Sequence, residues 1–138
     1  MTVIRAKLDV DATLVHEGDI IDGRYRIGGL LGRGGFGAVY AAEHIGTHQS
    51  IALKILMANP DGTNETMVRR FYREARITAS LRHANTVRVF DVGQTESGMQ
   101  YIAMELLRGK SLGEFLVERL GGDDALTERE CLDIAIPI

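Results

Sequence analysis

Three features of the chain carry residue types that could do chemistry, and each also has an ordinary structural reading. The first is Gly32-Arg33-Gly34-Gly35-Phe36-Gly37-Ala38-Val39, which fits the spacing G-x-G-x-x-G-x-V. Glycines let backbone N–H groups close on a phosphate with no Cβ in the way. They suit a bare hairpin equally well. A Rossmann dinucleotide loop needs strand, loop and helix in that order, with an acidic residue about 20 positions on to hold the ribose. Here Met57 stands 20 residues after Gly37, in what reads as another strand, so that reading fails. A Walker loop would end Gly-Lys-Ser or Gly-Lys-Thr, whereas this one ends Gly37-Ala38.

Lys54 is the second feature, the lone cation in the apolar run Ile51–Met57. An unpaired ammonium is costly to bury. It either snorkels to water from a strand edge or points into a cleft at phosphate oxygens. Glu74 is the third, a carboxylate among Arg69, Arg70, Arg73 and Arg76. Its ordinary reading is an i,i+4 partner for Arg70. Lys54 offers it another use, because a helix that follows a central strand can bring a carboxylate across to a lysine on that strand.

The elements that would position these residues follow from periodicity and turn chemistry. Tyr25, Ile27, Leu30 and Leu31 mark a first strand, and the glycine-dense segment 32–37 reads as a turn. Segment 38–44 is a second strand, although its alanines also suit a short helix. Gly46–Gln49 is a hairpin turn and Ile51–Met57 a third strand. Asn59-Pro60-Asp61-Gly62 breaks the pattern. A helix is predicted from about Asn64 to Leu81. Its buried face holds either Val68, Phe71, Ala75, Thr78 and Leu81 or Val68, Phe71, Ile77 and Leu81. Strands at Val87–Val92 and Met99–Leu106 come next. Ser111 with Glu114, and Thr127 with Glu130, have capping-box spacing and open two further helices. The predicted order is β-β-β-α-β-β-α-α.

Composition bounds the rest. The chain has 138 residues, 45% hydrophobic and 25% charged, with a net charge of −3. That length is one domain or part of one, and the charge offers no basic field to nucleic acid. Cys131 is the single cysteine, which excludes an internal disulfide. His16, His44, His48 and His83 lack metal-ligand spacing. No apolar run reaches the roughly 18 residues of a membrane span, so no membrane segment is expected. No apolar stretch follows Arg5 and Lys7 as in a secretory signal, and the expected location is cytoplasmic.

Taken together, the glycine segment, Ala52-Leu53-Lys54 on the next strand and a helix glutamate 20 residues after Lys54 form a specific constellation. In it the chain resembles the N-terminal lobe of the eukaryotic-like protein kinases, most closely the bacterial serine/threonine type. Further residues carry the resemblance: Arg24-Tyr25-Arg26-Ile27, Arg70-Phe71-Tyr72-Arg73-Glu74-Ala75, Leu81-Arg82-His83-Ala84-Asn85 and Met104-Glu105-Leu106-Leu107. Ala84 stands where the family usually has proline. The resemblance implies an α+β fold, with a five-stranded antiparallel sheet and one packed helix, followed by the first two helices of an incomplete helical C-lobe. It divides the chain into an N-terminal extension (1–22), an N-lobe with hinge (23–107) and the start of the C-lobe (108–138).

The resemblance also implies roles. ATP is the cofactor. The backbone of Gly32, Gly34, Gly35 and Gly37 covers its phosphates, and Phe36 caps the loop tip. Leu31, Val39 and Ala52 enclose the adenine. Lys54, paired with Glu74, holds the α- and β-phosphates. Met104 stands behind the adenine, and the backbones of Glu105 and Leu107 read its edge. The complete family member uses Mg2+, a protein substrate, and an aspartate base in His-Arg-Asp with a metal ligand in Asp-Phe-Gly. Residues 1–138 contain neither tripeptide. The expectation is therefore an ATP-binding portion of a kinase that ends before the catalytic loop and is inactive alone. The alternative is a non-catalytic N-lobe that docks on a partner or dimerises.

Overall fold

The computed structural model describes residues 15–34, 37–56, 65–120 and 126–135. Its strands are β1 (Ile20–Ile21), β2 (Tyr25–Gly34), β3 (Gly37–His44), β4 (Gln49–Leu56), β5 (Val89–Gln94) and β6 (Gln100–Glu105). Its helices are α1 (Glu65–Ser80), between β4 and β5, then α2 (Leu112–Leu120) and α3 (Glu128–Ala135). The strands form one antiparallel sheet in the order β1-β2-β3-β4-β6-β5.

The sheet has six strands rather than the expected five. The extra one is β1, whose Ile20 and Ile21 pair with Arg26 and Tyr25. The expected boundary at residue 22 thus falls inside the sheet, and Val15 and Ile21 belong to its core. Asp22-Gly23 makes the turn, with φ of 52° and 64°. The Arg24 N–H closes it on the Ile21 carbonyl at 3.0 Å. Two successive positive φ angles are what a tight hairpin with the twist of its strands requires, and Asp-Gly is a preferred pair for it.

A second difference concerns the glycine segment. The expected turn at 32–37 is largely strand: Gly32 pairs with Val39, Arg33 with Ala38 and Gly34 with Gly37. Neither Gly32 nor Gly34 has a positive φ, so ordinary extended backbone carries the ladder this far. Gly35 and Phe36 lie outside the described residues. So do Met57, the 59–62 breaker, Asn64 and the ends of the chain. The β2–β3 register slips between Ile27 and Leu30 and again between Leu30 and Gly32, irregularities that interrupt the ladder just before the glycine segment.

Alternation along β4 sends its side chains to two cores. Ile51, Leu53 and Ile55 pack with Tyr25, Ile27, Tyr40 and Tyr101 inside the curl of the sheet. On the other face Leu56 and Ile102 meet Phe71 and Ala75 of α1, flanked by Met67, Val68, Val89, Val92 and Met104. The first proposed face of α1 fits best. Val68, Phe71 and Ala75 point inward, whereas Ile77 is 51% exposed and Leu81 beyond the helix 52%. Each buried large aliphatic side chain is worth about 1.5–3 kcal/mol relative to exposure.

At one end of the curl, Arg24 ties β1 and β2 to β5 and β6. Its guanidinium donates to Asp22 at 2.7 Å and to the Tyr101 hydroxyl at 2.6 Å, and lies 2.9 Å from Asp91. Tyr101 donates in turn to Asp22 at 2.6 Å, and Tyr25 to Asp91 at 2.9 Å. Burial, helped by the bond to Asp91, pushes the Tyr25 phenol up to about 12. The Tyr101 hydroxyl and the Arg24 guanidinium together hold the Asp22 carboxyl below its ordinary value. A Cβ on Gly93 would strike the Tyr101 hydroxyl, so glycine there makes room for the network.

Both predicted capping boxes form. Ser111 N–H donates to Glu114 at 2.7 Å while Glu114 N–H donates to the Ser111 hydroxyl at 3.1 Å. Thr127 and Glu130 repeat the exchange at 2.9 and 3.3 Å. Arg119 of α2 bonds Glu130 of α3 at 2.8 Å.

Candidate functional site

Lys54 and Glu74 meet. The Lys54 ammonium donates to Glu74 Oε1 at 2.7 Å, across the gap between the sheet and α1. Arg70, the ordinary helical partner, makes no ion pair with Glu74. Antiparallel register explains why Lys54 faces this way. It lies opposite Val39 on β3 and Ile102 on β6, on the face turned to α1, while Leu53 and Ile55 on either side enter the other core. Glu74 projects from α1 because Phe71 and Ala75 anchor the adjacent stripe of the helix.

The Lys54 side chain is 20% exposed and that of Glu74 57%. A pair so open to water contributes only about 0–1 kcal/mol to stability. It orients the ammonium rather than holding the fold together. The arrangement leaves a cation with two further donors, fixed among apolar neighbours and open to the solvent side, which suits the oxygens of a polyanion.

The other predicted residues fall around it. Val39 is the cross-strand neighbour of Lys54, and Ala52 that of Met104, so these four share one face of the sheet. Ala52 is buried and Met104 half-buried against the α1 core. Leu31 is 54% exposed and falls at the second register slip of β2. The Glu105 N–H donates to the Arg88 carbonyl at 2.8 Å, and its carboxylate accepts from the Arg88 N–H at 3.3 Å. Its side chain is thus engaged with the β5 entry. Leu107, just past β6, is 65% exposed.

The glycines divide into two kinds. A Cβ on Gly37 would collide with the Ile55 carbonyl, so packing alone demands glycine there. A Cβ on Gly32 or Gly34 would meet no atom of the described residues within 4 Å. Neither φ nor packing among the described residues demands glycine at those two positions, which leaves their backbone accessible to a ligand. Together with Lys54, this open strip of backbone fits the phosphates of a nucleotide. Magnesium finds no comparable fit: among the described residues no three His, Cys, Asp or Glu side chains gather into a metal site.

Residues 25–138 match the family defined as the protein kinase domain. The chain belongs to the serine/threonine protein kinase family. It is 38% identical over 117 residues to the serine/threonine-protein kinase PrkC of Bacillus subtilis, covering 85% of this chain and 17% of that protein. It is 37% identical over 101 residues to the serine/threonine-protein kinase pkn3 of Myxococcus xanthus, covering 73% of this chain and 18% of that one. Among solved structures, the Mycobacterium tuberculosis PknI kinase domain superposes with a TM-score of 0.69 at 29% identity, over 90% of this chain and 48% of that domain. The chain thus spans less than a fifth of these curated kinases and about half of the solved domain. As a kinase-fold chain it has the expected antiparallel sheet packed on a helix. No described helix is long and apolar enough to cross a membrane.

The residues that sequence reasoning missed are those of the Arg24 network and β1. The signal for β1 was present: Ile20-Ile21-Asp22-Gly23 is an apolar pair followed by a hairpin dipeptide. No comparable signal marks the network, whose members lie on three stretches far apart in sequence.

Proposed function

We propose that this chain is the ATP-binding part of a serine/threonine protein kinase, with Lys54 as the residue that holds the α- and β-phosphates. The observation that carries the reading is the 2.7 Å contact of Lys54 with Glu74, on the sheet face that Val39, Ala52 and Met104 also line. Glu74 holds the ammonium in place. The open backbone at Gly32 and Gly34 supplies N–H donors, and Ala52 leaves space for a flat ring. The backbones of Glu105 and Leu107 read the edge of the base.

Phosphoryl transfer to a protein hydroxyl belongs to the complete kinase domain. Residues 1–138 hold no His-Arg-Asp or Asp-Phe-Gly, so no group among them takes the acceptor proton and none holds the metal. This chain by itself is expected to bind ATP weakly and transfer nothing. A fluorescent ATP analogue titrated into the purified chain tests the binding. Lys54→Ala should weaken it about 10-fold or more, the worth of a charge-assisted hydrogen bond. Equal affinity in the variant would remove Lys54 from the site. Magnesium-dependent transfer of labelled phosphate by the chain alone would overturn the expected inactivity.

A further inference from the structure

The β2–β3 hairpin has a second face, on the far side from Lys54, that the nucleotide reading does not use. Opposed residues of an antiparallel pair share a face. Leu30 with Tyr40, and Arg33 with Ala38, therefore turn to the side of the Ile27–Ala42 pair, whereas Val39 turns to Lys54. On that far side Val15, Leu30, Arg33 and Tyr40, with the backbone of Gly28 and Gly29, line a pocket of about 390 Å³. We propose that this pocket binds a small organic carboxylate with an apolar body, its carboxylate held by Arg33 and the Tyr40 hydroxyl.

Tyr40 is the residue that points to a ligand. It is 5% exposed, and a buried phenol ordinarily finds a hydrogen-bond partner. The other three tyrosines do: Tyr25 donates to Asp91, Tyr72 to Gln100 and Tyr101 to Asp22. The Tyr40 hydroxyl has no such partner among the described residues. No described side-chain polar atom is both fully buried and unpartnered, so this hydroxyl reaches open space, and the pocket is the space that Tyr40 lines. Arg33 supplies the charge. It is exposed and makes no ion pair among the described residues, unlike Arg24, Arg26, Arg69 and Arg119. A guanidinium takes a carboxylate through two parallel bonds. Val15 and Leu30 give the apolar wall, and Leu30, still 47% exposed, gains cover from a ligand. The segment carrying Val15 is fixed along β2, because the Gly18 N–H donates to the Ile27 carbonyl and the Ile27 N–H to the Asp19 carbonyl, both at 2.8 Å. At the rim, the His16 backbone N–H donates to the Asp19 carboxylate at 2.8 Å. Glu17, also at the rim, opposes a second negative charge, which favours a carboxylate over a phosphate. Small-molecule pockets span about 300–1,000 Å³, so this one takes a small ligand.

The test is amide-shift NMR of the isotope-labelled full chain titrated with hydrocinnamate. Saturable shifts are expected at Gly28, Gly29, Leu30, Arg33 and Tyr40. Arg33→Gln should weaken binding about 10-fold, and Tyr40→Phe, which keeps the ring, about 5-fold. Lys54→Ala should leave binding unchanged, which separates this pocket from the nucleotide site. Arg33 is exposed, so its variant carries the test should Tyr40→Phe fail to fold. Absence of saturable shifts would overturn the proposal, as would unaltered affinity in folded Arg33→Gln. So would equal affinity for the neutral hydrocinnamamide, tighter binding of phenyl phosphate, or loss of the shifts in Lys54→Ala.

Discussion

Leu53, in the middle of β4, is 0% exposed, while Val117, in the middle of α2, is 73% exposed. The contrast runs through the molecule. From Val15 to Glu105 the chain closes two apolar cores around one sheet, and α1 lies over the second. The helices α2 and α3 make no extensive contact with that sheet or with α1. Leu112, Phe115, Val117 and Leu132 remain exposed on them. What defines these two helices is local: a capping box at each start and the Arg119–Glu130 bond between them. The sheet part is thus a folded unit by burial, and the helical part by end chemistry. The proposed nucleotide site draws almost wholly on the first.

Core deletion should break this comparison most sharply. Leu53→Ala removes a fully buried side chain and is expected to cost about 2–5 kcal/mol in urea unfolding followed by sheet signals. Val117→Ala should change the same measurement by less than about 0.5 kcal/mol. Comparable losses from both would mean that α2 packs as tightly as β4. Within the sheet part, Gly37→Ala sets a Cβ against the Ile55 carbonyl and is expected to cost about 1–3 kcal/mol. Gly32→Ala meets open space. It should leave stability level or raise it by up to about 1 kcal/mol, while lowering affinity for the ATP analogue. Matched losses of stability from both glycine variants would undo the division between packing and ligand glycines.

In the helical part smaller effects are expected. Thr127→Ala should cost about 1 kcal/mol of local helix stability, seen as faster amide exchange within α3 and unchanged exchange in β4. The smallest is a pH effect. The Thr127 backbone N–H holds the Glu130 carboxyl down to about 2, aided by the Arg119 guanidinium and the Thr127 hydroxyl. A depressed carboxyl stabilises the folded form fully above its ordinary value of 4.5, and that contribution disappears as pH falls from there toward about 2. Protection of α3 amides should therefore decline across that window before that of the sheet. Simultaneous decline would show that α3 does not open independently.

Legibility in the sequence followed the range of the interaction. The capping boxes were readable because four consecutive residues suffice to state them. The Lys54–Glu74 meeting was readable because a charged residue in an apolar strand poses a problem that a nearby helix can answer. The choice between two faces for α1 turned on Ile77, whose periodicity fits inward as well as outward, and only packing decided it. The extension of β2 and β3 into the glycine segment was missed because glycine content signals a turn even where the ladder continues. The Arg24 network was beyond reach, since it exists only once the sheet has curled its ends together.

That network has a consequence for the order of events in synthesis. Tyr25 and Asp91 are 66 positions apart and Asp22 and Tyr101 are 79 apart. The clasp cannot close on the growing chain until β6 has left the ribosome. Until then Arg24 and Tyr25 lack their partners Tyr101 and Asp91, a long-range closure of the sort that slows folding.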